Sequence, residues 1–162
     1  MYFFEHLMAG ILLGLLLYYL VKDIRLVPAC AVGSVLPDLI DKPLGIIILY
    51  ESLNYGRIYF HTLLVLALIF LVAYIEWRRF GSLIMFAVGI GVLSHQIMDS
   101  MWKQYWNWLW PVYGPFQGRS GENFLWKAII AEISSPTEWI LGAVVLVIGL
   151  LLWWDYRRRG KE

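Results

Sequence analysis

Apolar residues fill this chain in long stretches that are interrupted at a few sharply placed points. Four stretches are candidates for helices that cross a bilayer: Met1 to Val21, Ile58 to Ile75, Phe80 to Met98 and Thr137 to Trp154. A crossing helix needs about 20 mostly apolar residues. The uninterrupted parts of the first three are shorter than that, and each reaches the required length only when its histidine is counted inside: His6, His61 and His95. The pattern therefore places three imidazoles at membrane depth. The fourth stretch carries Glu138 only at its edge and reads as a lipid-facing anchor.

Between Ile24 and Tyr50 the apolar sequence is broken by Pro28, Pro37 and Pro43 and by Asp38, Asp41 and Lys42. Proline removes a backbone donor and disfavours helix at the residue before it. Segment 26–50 is therefore expected as two short helical pieces flanking an irregular turn from Pro37 to Pro43. Irregular backbone at membrane depth is tolerated only against protein or a watery cavity, so that turn predicts a cavity. Met101 to Phe116 concentrates Trp102, Tyr105, Trp106, Trp108, Trp110, Tyr113 and Phe116, rings of the kind that collect at headgroup level. It is expected as an aromatic interfacial loop. Gln117 to Asn123 is polar, and Phe124 to Ile133 has the apolar spacing of a short helix lying in the interface.

The fold class expected is an all-α integral membrane protein. It is a compact helical bundle of about four transmembrane helices, with a broken or re-entrant helix pair and a short interfacial helix. Two regions are expected, a membrane-embedded domain over 1–133 and a C-terminal anchor with a basic tail over 134–162.

Composition agrees with this pattern. Hydrophobic residues make up 60% of the 162, and only 15% are charged; the mean hydropathy is +0.67. That is more apolar surface than a water-soluble domain of this size hides. The net charge of +1 provides no basic field for nucleic acid, so the partner implied is the bilayer. Cys30 is the single cysteine, which excludes an internal disulfide and a cysteine-built metal site. The N-terminal stretch lacks a basic leader and is interrupted by Glu5 and His6, so it is expected to be mature protein rather than a signal peptide. Lys22 and Arg25, Arg78 and Arg79, and Arg157, Arg158, Arg159 and Lys161 follow the first, second and last spans. The positive-inside rule puts these ends, and the C-terminus, in the cytoplasm of a multi-pass inner or plasma membrane protein.

That orientation has a chemical consequence. His6, His61 and His95 fall in the non-cytoplasmic leaflet, at a common depth of roughly 6 to 8 Å. Asp99 follows His95 by four residues and shares its helix face, while Asp38 and Asp41 lie on the path back to the same leaflet. Imidazoles and carboxylates at one level are a ligand set for zinc or a similar divalent ion. A metal also answers the cost of unpaired carboxylates in hydrocarbon. Singly, each residue has a plainer role: a membrane histidine as an interhelical hydrogen bonder, Asp38 as a turn cap, Arg57 as a cation snorkelling to the interface. Gly10 with Gly14, and Gly89 with Gly91, suit close helix packing.

The motifs His6-x3-Gly10, Gly33-Ser34-Val35-Leu36-Pro37-Asp38-x2-Asp41, Arg57-x3-His61-Thr62, His95-x3-Asp99 and Trp110-Pro111 occur in the order seen in the LexA-binding, inner-membrane metal-dependent hydrolase family (YdjM-like), which the chain resembles over roughly residues 2 to 116. That family's layout is in turn similar to zinc-dependent phospholipase C. The resemblance implies a membrane-bound hydrolase with His6, Asp38, His61, His95 and Asp99 as metal ligands and Asp99 able to bridge two ions. The chain departs from the pattern at Gly56, where many members carry histidine, and lacks the phospholipase's C-terminal His and Glu ligands, so one or two ions are expected rather than three.

Hydrolysis is the first functional expectation. One zinc held by Asp38, His61, His95 and Asp99, with a second at His6, would lower the pKa of bound water toward ~7. Asp41 is the candidate general base or the partner of a ligating imidazole, and Arg57 the candidate for neutralising a phosphate oxygen. The depth of the site points to a membrane lipid, through its phosphoester or acyl ester. Two other classes use the same layer: a metal-ion or proton transporter, and a non-catalytic adaptor clamped by a structural metal.

Overall fold

In a computed structural model, residues 3–116, 130–131 and 133–159 are described, and among them the regular structure is helical. The elements are α1 (Phe3–Val21), α2 (Leu26–Pro43), α3 (Leu63–Phe80), α4 (Ile84–Met98), the one-turn α5 (Tyr105–Trp108) and α6 (Pro136–Arg159). A π-helical turn (Leu44–Ile48) extends α2, and 3₁₀ turns occupy Tyr59–His61 and Met101–Gln104. The expected polar loop at 117–123 and most of the expected interfacial helix at 124–133 lie outside the described residues.

Helix α2 is the centre of the bundle, packed against α1 on one side and α4 on the other, while α3 lies on α4 and α6 on α1. Small residues permit the close approach. A Cβ on Gly33 would overlap the Val88 carbonyl, and one on Gly91 would overlap the Cys30 carbonyl, so α2 and α4 meet backbone to backbone. On the other side, a Cβ on Gly14 would stand 2.7 Å from the Val27 Cα. Leu26, Cys30 and Ala87 form the buried apolar cluster. Outward faces of α1, α3 and α6 are apolar and exposed, including Leu12, Leu16, Leu68, Leu71, Leu146 and Leu150, as expected where the surrounding solvent is lipid.

The segment from 26 to 43 corrects the expectation of two pieces around an irregular turn, because it is one helix. Pro28 sits in its first turn, where backbone N–H groups have no intrahelical acceptor anyway. Pro37 and Pro43 lie beyond that turn and cannot donate to the Gly33 and Leu39 carbonyls; packing on two sides offsets those losses. The irregular backbone comes later, in the π turn and at 49–58. The span expected from Ile58 likewise begins as a 3₁₀ turn, and α3 starts at Leu63 with the Thr62 hydroxyl accepting from the Val65 N–H at 3.2 Å. His61 therefore precedes its helix instead of lying inside it.

By length and composition α1 can cross a membrane, and α4 with the short helices that follow it, bent by 72°, can form a second span. Helix α3 carries Glu76, Arg78 and Arg79 in its last turns, and the apolar part of α6 is the shorter Pro136–Leu151. Glu138 is not simply at the lipid edge: it is buried, and its Oε2 accepts the Phe4 N–H at 2.9 Å. A carboxylate there satisfies an orphan donor at the start of α1 and faces the positive end of its dipole.

Candidate metal centre

Histidines and aspartates converge at one end of the bundle, where α1 and α3 begin and α2 and α4 end. His6 comes from the first turns of α1, Asp38 and Asp41 from the last turns of α2, His61 from the 3₁₀ turn, His95 from the end of α4, and Asp99 from the residue capping α4. All six are buried. His6 stacks on His95 with ring centroids 4.0 Å apart, and His61 meets His95 edge-on at 5.0 Å.

The orientation of each ring follows from its partners. Asp41 accepts the N–H groups of Ile58, Phe60 and His61 at 3.0 to 3.1 Å, and its Oδ2 lies 2.7 Å from His61 Nδ1. Both oxygens of Asp41 are thus engaged in shaping the 58–61 turn and aiming the His61 ring. His95 Nδ1 lies 2.7 Å from the Ser34 carbonyl. A carboxylate and a carbonyl only accept, so each Nδ1 carries the hydrogen and each Nε2, in a neutral ring, presents a lone pair. Those two Nε2 atoms face one another at 3.1 Å. Two lone pairs at that separation repel unless a cation lies between them.

Carboxylates complete the surroundings. Asp38 Oδ1 is 3.8 Å from His61 Nε2 and 3.7 Å from His95 Nε2, and Asp99 Oδ2 is 3.6 and 3.8 Å from the same atoms. The four donor atoms lie within 4.8 Å of one another. Ligands on a tetrahedral zinc at about 2.0 to 2.1 Å are separated by roughly 3.3 Å, so the group needs little closing to hold a divalent ion. Among the described residues Asp38 Oδ1, Asp38 Oδ2 and Asp99 Oδ2 are buried without a hydrogen bond; the two Oδ2 atoms have a cation beside them, whereas Asp38 Oδ1 is left in a costly state that a metal would relieve. The donor set therefore fits a metal. The other oxygen of Asp99 points toward His6, with Nε2 at 3.4 Å, so its two oxygens divide between the pair of facing imidazoles and the third ring.

Two cations border the cluster. Arg57 Nε lies 2.8 Å from Asp99 Oδ2, and Lys42 Nζ 2.7 Å from Asp38 Oδ2. Arg57, four residues before His61, is not one helical turn from it, because residues 55–58 are non-helical. It approaches along the turn that Asp41 organises. Lys42 joins the centre because α2 is continuous, which puts it at i+4 from Asp38.

Gln96 is a further residue that the sequence reading missed. It is buried; its amide nitrogen donates to the carbonyls of Phe60 and Thr62 at 3.1 and 3.2 Å, and its oxygen accepts from the Trp108 indole at 2.9 Å. It ties the two residues flanking His61 to α4 and to the aromatic segment. That segment also packs on the turn through Tyr59, whose ring meets Trp110 at 5.5 Å and Phe116 at 5.1 Å. A neutral glutamine carries no sequence signal for such a role. The Asp38-to-Lys42 spacing would have been legible had 26–43 been read as helix.

No match to this chain is found among curated proteins or among solved structures. A family model, described as YdjM inner membrane protein, matches residues 1–160. With nearly its whole length covered, including every residue of the buried histidine and aspartate cluster, the chain belongs to the YdjM inner membrane protein family.

Proposed function

We propose that the chain is a membrane-embedded, metal-dependent hydrolase acting on an ester of a lipid or another membrane-associated substrate. The observation that carries the proposal is the pair of Nε2 atoms facing each other at 3.1 Å beside the buried Asp38 and Asp99 carboxylates, with Asp38 Oδ1 among the oxygens left without a hydrogen bond among the described residues. Asp38, His61, His95 and Asp99 would hold the ion, most suitably zinc, with His6 and the outer oxygen of Asp99 available to a second. Zinc sites that serve only structure are typically rich in thiolate, whereas histidine and carboxylate ligands are the usual catalytic set. A divalent ion held there supplies Lewis acidity and makes water acidic enough to ionise near neutral pH.

The chain's own residues do the rest. Asp41 fixes the His61 ring so that Nε2 faces inward, the arrangement by which an outer carboxylate orients a ligating imidazole. Arg57 brings a guanidinium to the edge of the centre, where negative charge on an ester oxygen would develop. In this proposal α1, α3, α4 and α6 are four spans and α2 recrosses between α1 and α3, which puts the N-terminus and the centre toward the non-cytoplasmic leaflet and the basic C-terminus in the cytoplasm. The aromatic segment at 101–116 then borders the site at headgroup level, which favours a lipid over a soluble metabolite.

The test is metal analysis of the purified full chain together with a vesicle-based screen that separates phosphate release from acyl release. A stoichiometric divalent ion that His95→Ala loses, with ester turnover by the wild type, is the expected result. Absence of a divalent ion, or unchanged metal content in His95→Ala, overturns the metal centre. A retained metal without turnover overturns hydrolysis, in favour of transport if proteoliposomes show metal-dependent flux and of a structural clamp if they do not.

A further inference from the structure

The polar centre is anionic inside and cationic where it meets its surroundings. The side chains of Asp38, Asp41, His61, His95, Asp99 and His6 are at most 4% exposed, whereas Lys42 is 27% and Arg57 17% exposed. Among the described charged side chains of the centre, these two cations are the most exposed. We infer that Lys42 and Arg57 together form an anion receptor at the mouth of the metal centre, built for the phosphoryl group of a phosphoester rather than for a neutral acyl ester. The inference rests on the proposed metal centre and narrows the ester it acts on.

Several features support a receptor over a pair of ordinary counter-ions. Each cation stands on a different ligand carboxylate, Lys42 on Asp38 and Arg57 on Asp99, so the two flank the place where a metal would sit. Neither contact uses up its donors. Arg57 engages Asp99 through Nε, out of hydrogen-bonding alignment, and its two terminal NH₂ groups form the fork that suits two phosphate oxygens. Lys42 has three N–H groups and, among the described residues, a single short ion pair.

Charge points the same way. Asp38, Asp41 and Asp99 exceed Lys42 and Arg57 by one negative charge with the rings neutral, and a divalent ion would turn that deficit into one positive charge. A metal-loaded centre therefore attracts an anion. The backbone also makes room for the second cation. A Cβ at Gly56 would lie 3.2 Å from Lys42 Cγ and 3.0 Å from Ile46 Cδ1, so the glycine leaves the lysine stem its place beside the segment that carries Arg57.

The test uses the full chain in nanodiscs, with zinc content measured first and inorganic phosphate binding by calorimetry second. Zinc-loaded wild type should bind phosphate and discriminate against acetate. Lys42→Met and Arg57→Met should each weaken phosphate by about tenfold, the loss of one charge-assisted contact, at unchanged zinc stoichiometry. Lys42→Arg keeps the charge and should restore most of the affinity, so a misfolded Lys42→Met would not mask the outcome. No zinc in wild type overturns the metal centre. Zinc present, with phosphate affinity equal in wild type and Lys42→Met or with acetate bound as well as phosphate, overturns the receptor alone.

Discussion

Two carboxylate–guanidinium pairs in this protein close to the same distance and differ in almost everything else. Asp23 and Arg25, in the turn between α1 and α2, approach to 2.8 Å, as do Asp99 and Arg57 at the opposite end of the bundle. The first pair is solvated, with side chains 25% and 68% exposed; the second is 4% and 17% exposed. Asp23 and Arg25 are two residues apart and bond each other through Nε and Nη2, an arrangement that follows from chain proximity alone. Asp99 and Arg57 are brought together by the packing of separate elements, and the same carboxylate also faces three imidazoles. Distance alone therefore says little about what an ion pair does. Its value here depends on what else shares the carboxylate and on whether water can replace the partner.

The comparison breaks most sharply at Asp99. Replacing it with alanine leaves Arg57 without its carboxylate and removes a proposed metal donor, so the proposed ion should be lost and unfolding should become easier by about 3–5 kcal/mol. Metal analysis and denaturant unfolding in detergent check both. Asp41→Asn removes no proposed metal donor but releases the His61 ring, and metal affinity should fall about 10–100-fold. A chelator competition titration measures this; an unchanged affinity would mean that the ring is held by the 58–61 backbone alone. Gln96→Leu acts one step further out, freeing the carbonyls of Phe60 and Thr62 and the Trp108 indole, and should cost about 1–3 kcal/mol of stability with a smaller loss of metal affinity than Asp41→Asn.

The smallest effect belongs to the exposed pair. Asp23→Asn should leave metal content and affinity at the wild-type level. The hydrogen bond from Arg25 holds the Asp23 carboxyl below its ordinary value. A depressed carboxylate contributes above its unfolded pKa and loses that contribution only as pH falls through the folded value. Lowering the pH from 8 to 5 should therefore leave this pair intact, and a mutant-to-wild-type comparison of unfolding across that window should be flat.

How much of this was legible in advance varies by element. Helix α1 spans Phe3–Val21 against an expected 1–21, and α4 ends at Met98 as expected, because long apolar runs with a polar break at the end leave few alternatives. Segment 26–50 departs from the expectation because Pro28 occupies the first turn, where a helix tolerates it, and the packing of α2 between α1 and α4 offsets the bonds lost at Pro37 and Pro43. The expected break hid Lys42, which becomes a neighbour of Asp38 only on a continuous helix. Among the site residues, His6, Asp38, His61, His95 and Asp99 were recognisable from their types, since charged and imidazole groups stand out where nearly everything else is apolar. The Ser34 carbonyl and the Gln96 amide could not be recognised: every residue has a carbonyl, and a neutral amide in an apolar run has many possible fates.

The sequence by itself determined the solvent-facing character of the chain, its helical class and the inventory of groups able to hold a metal, because those follow from composition and from local periodicity. Only the tertiary structure decided which nitrogen of each imidazole faces inward, which carboxylate orients a ring and which are left for an ion, and where the two cations stand. Those outcomes depend on partners distant along the chain, such as Ser34 for His95 and Asp41 for His61, and on glycines that let α2 and α4 approach backbone to backbone. Contacts of that kind are set by the packing of whole helices, which no local stretch of residues encodes.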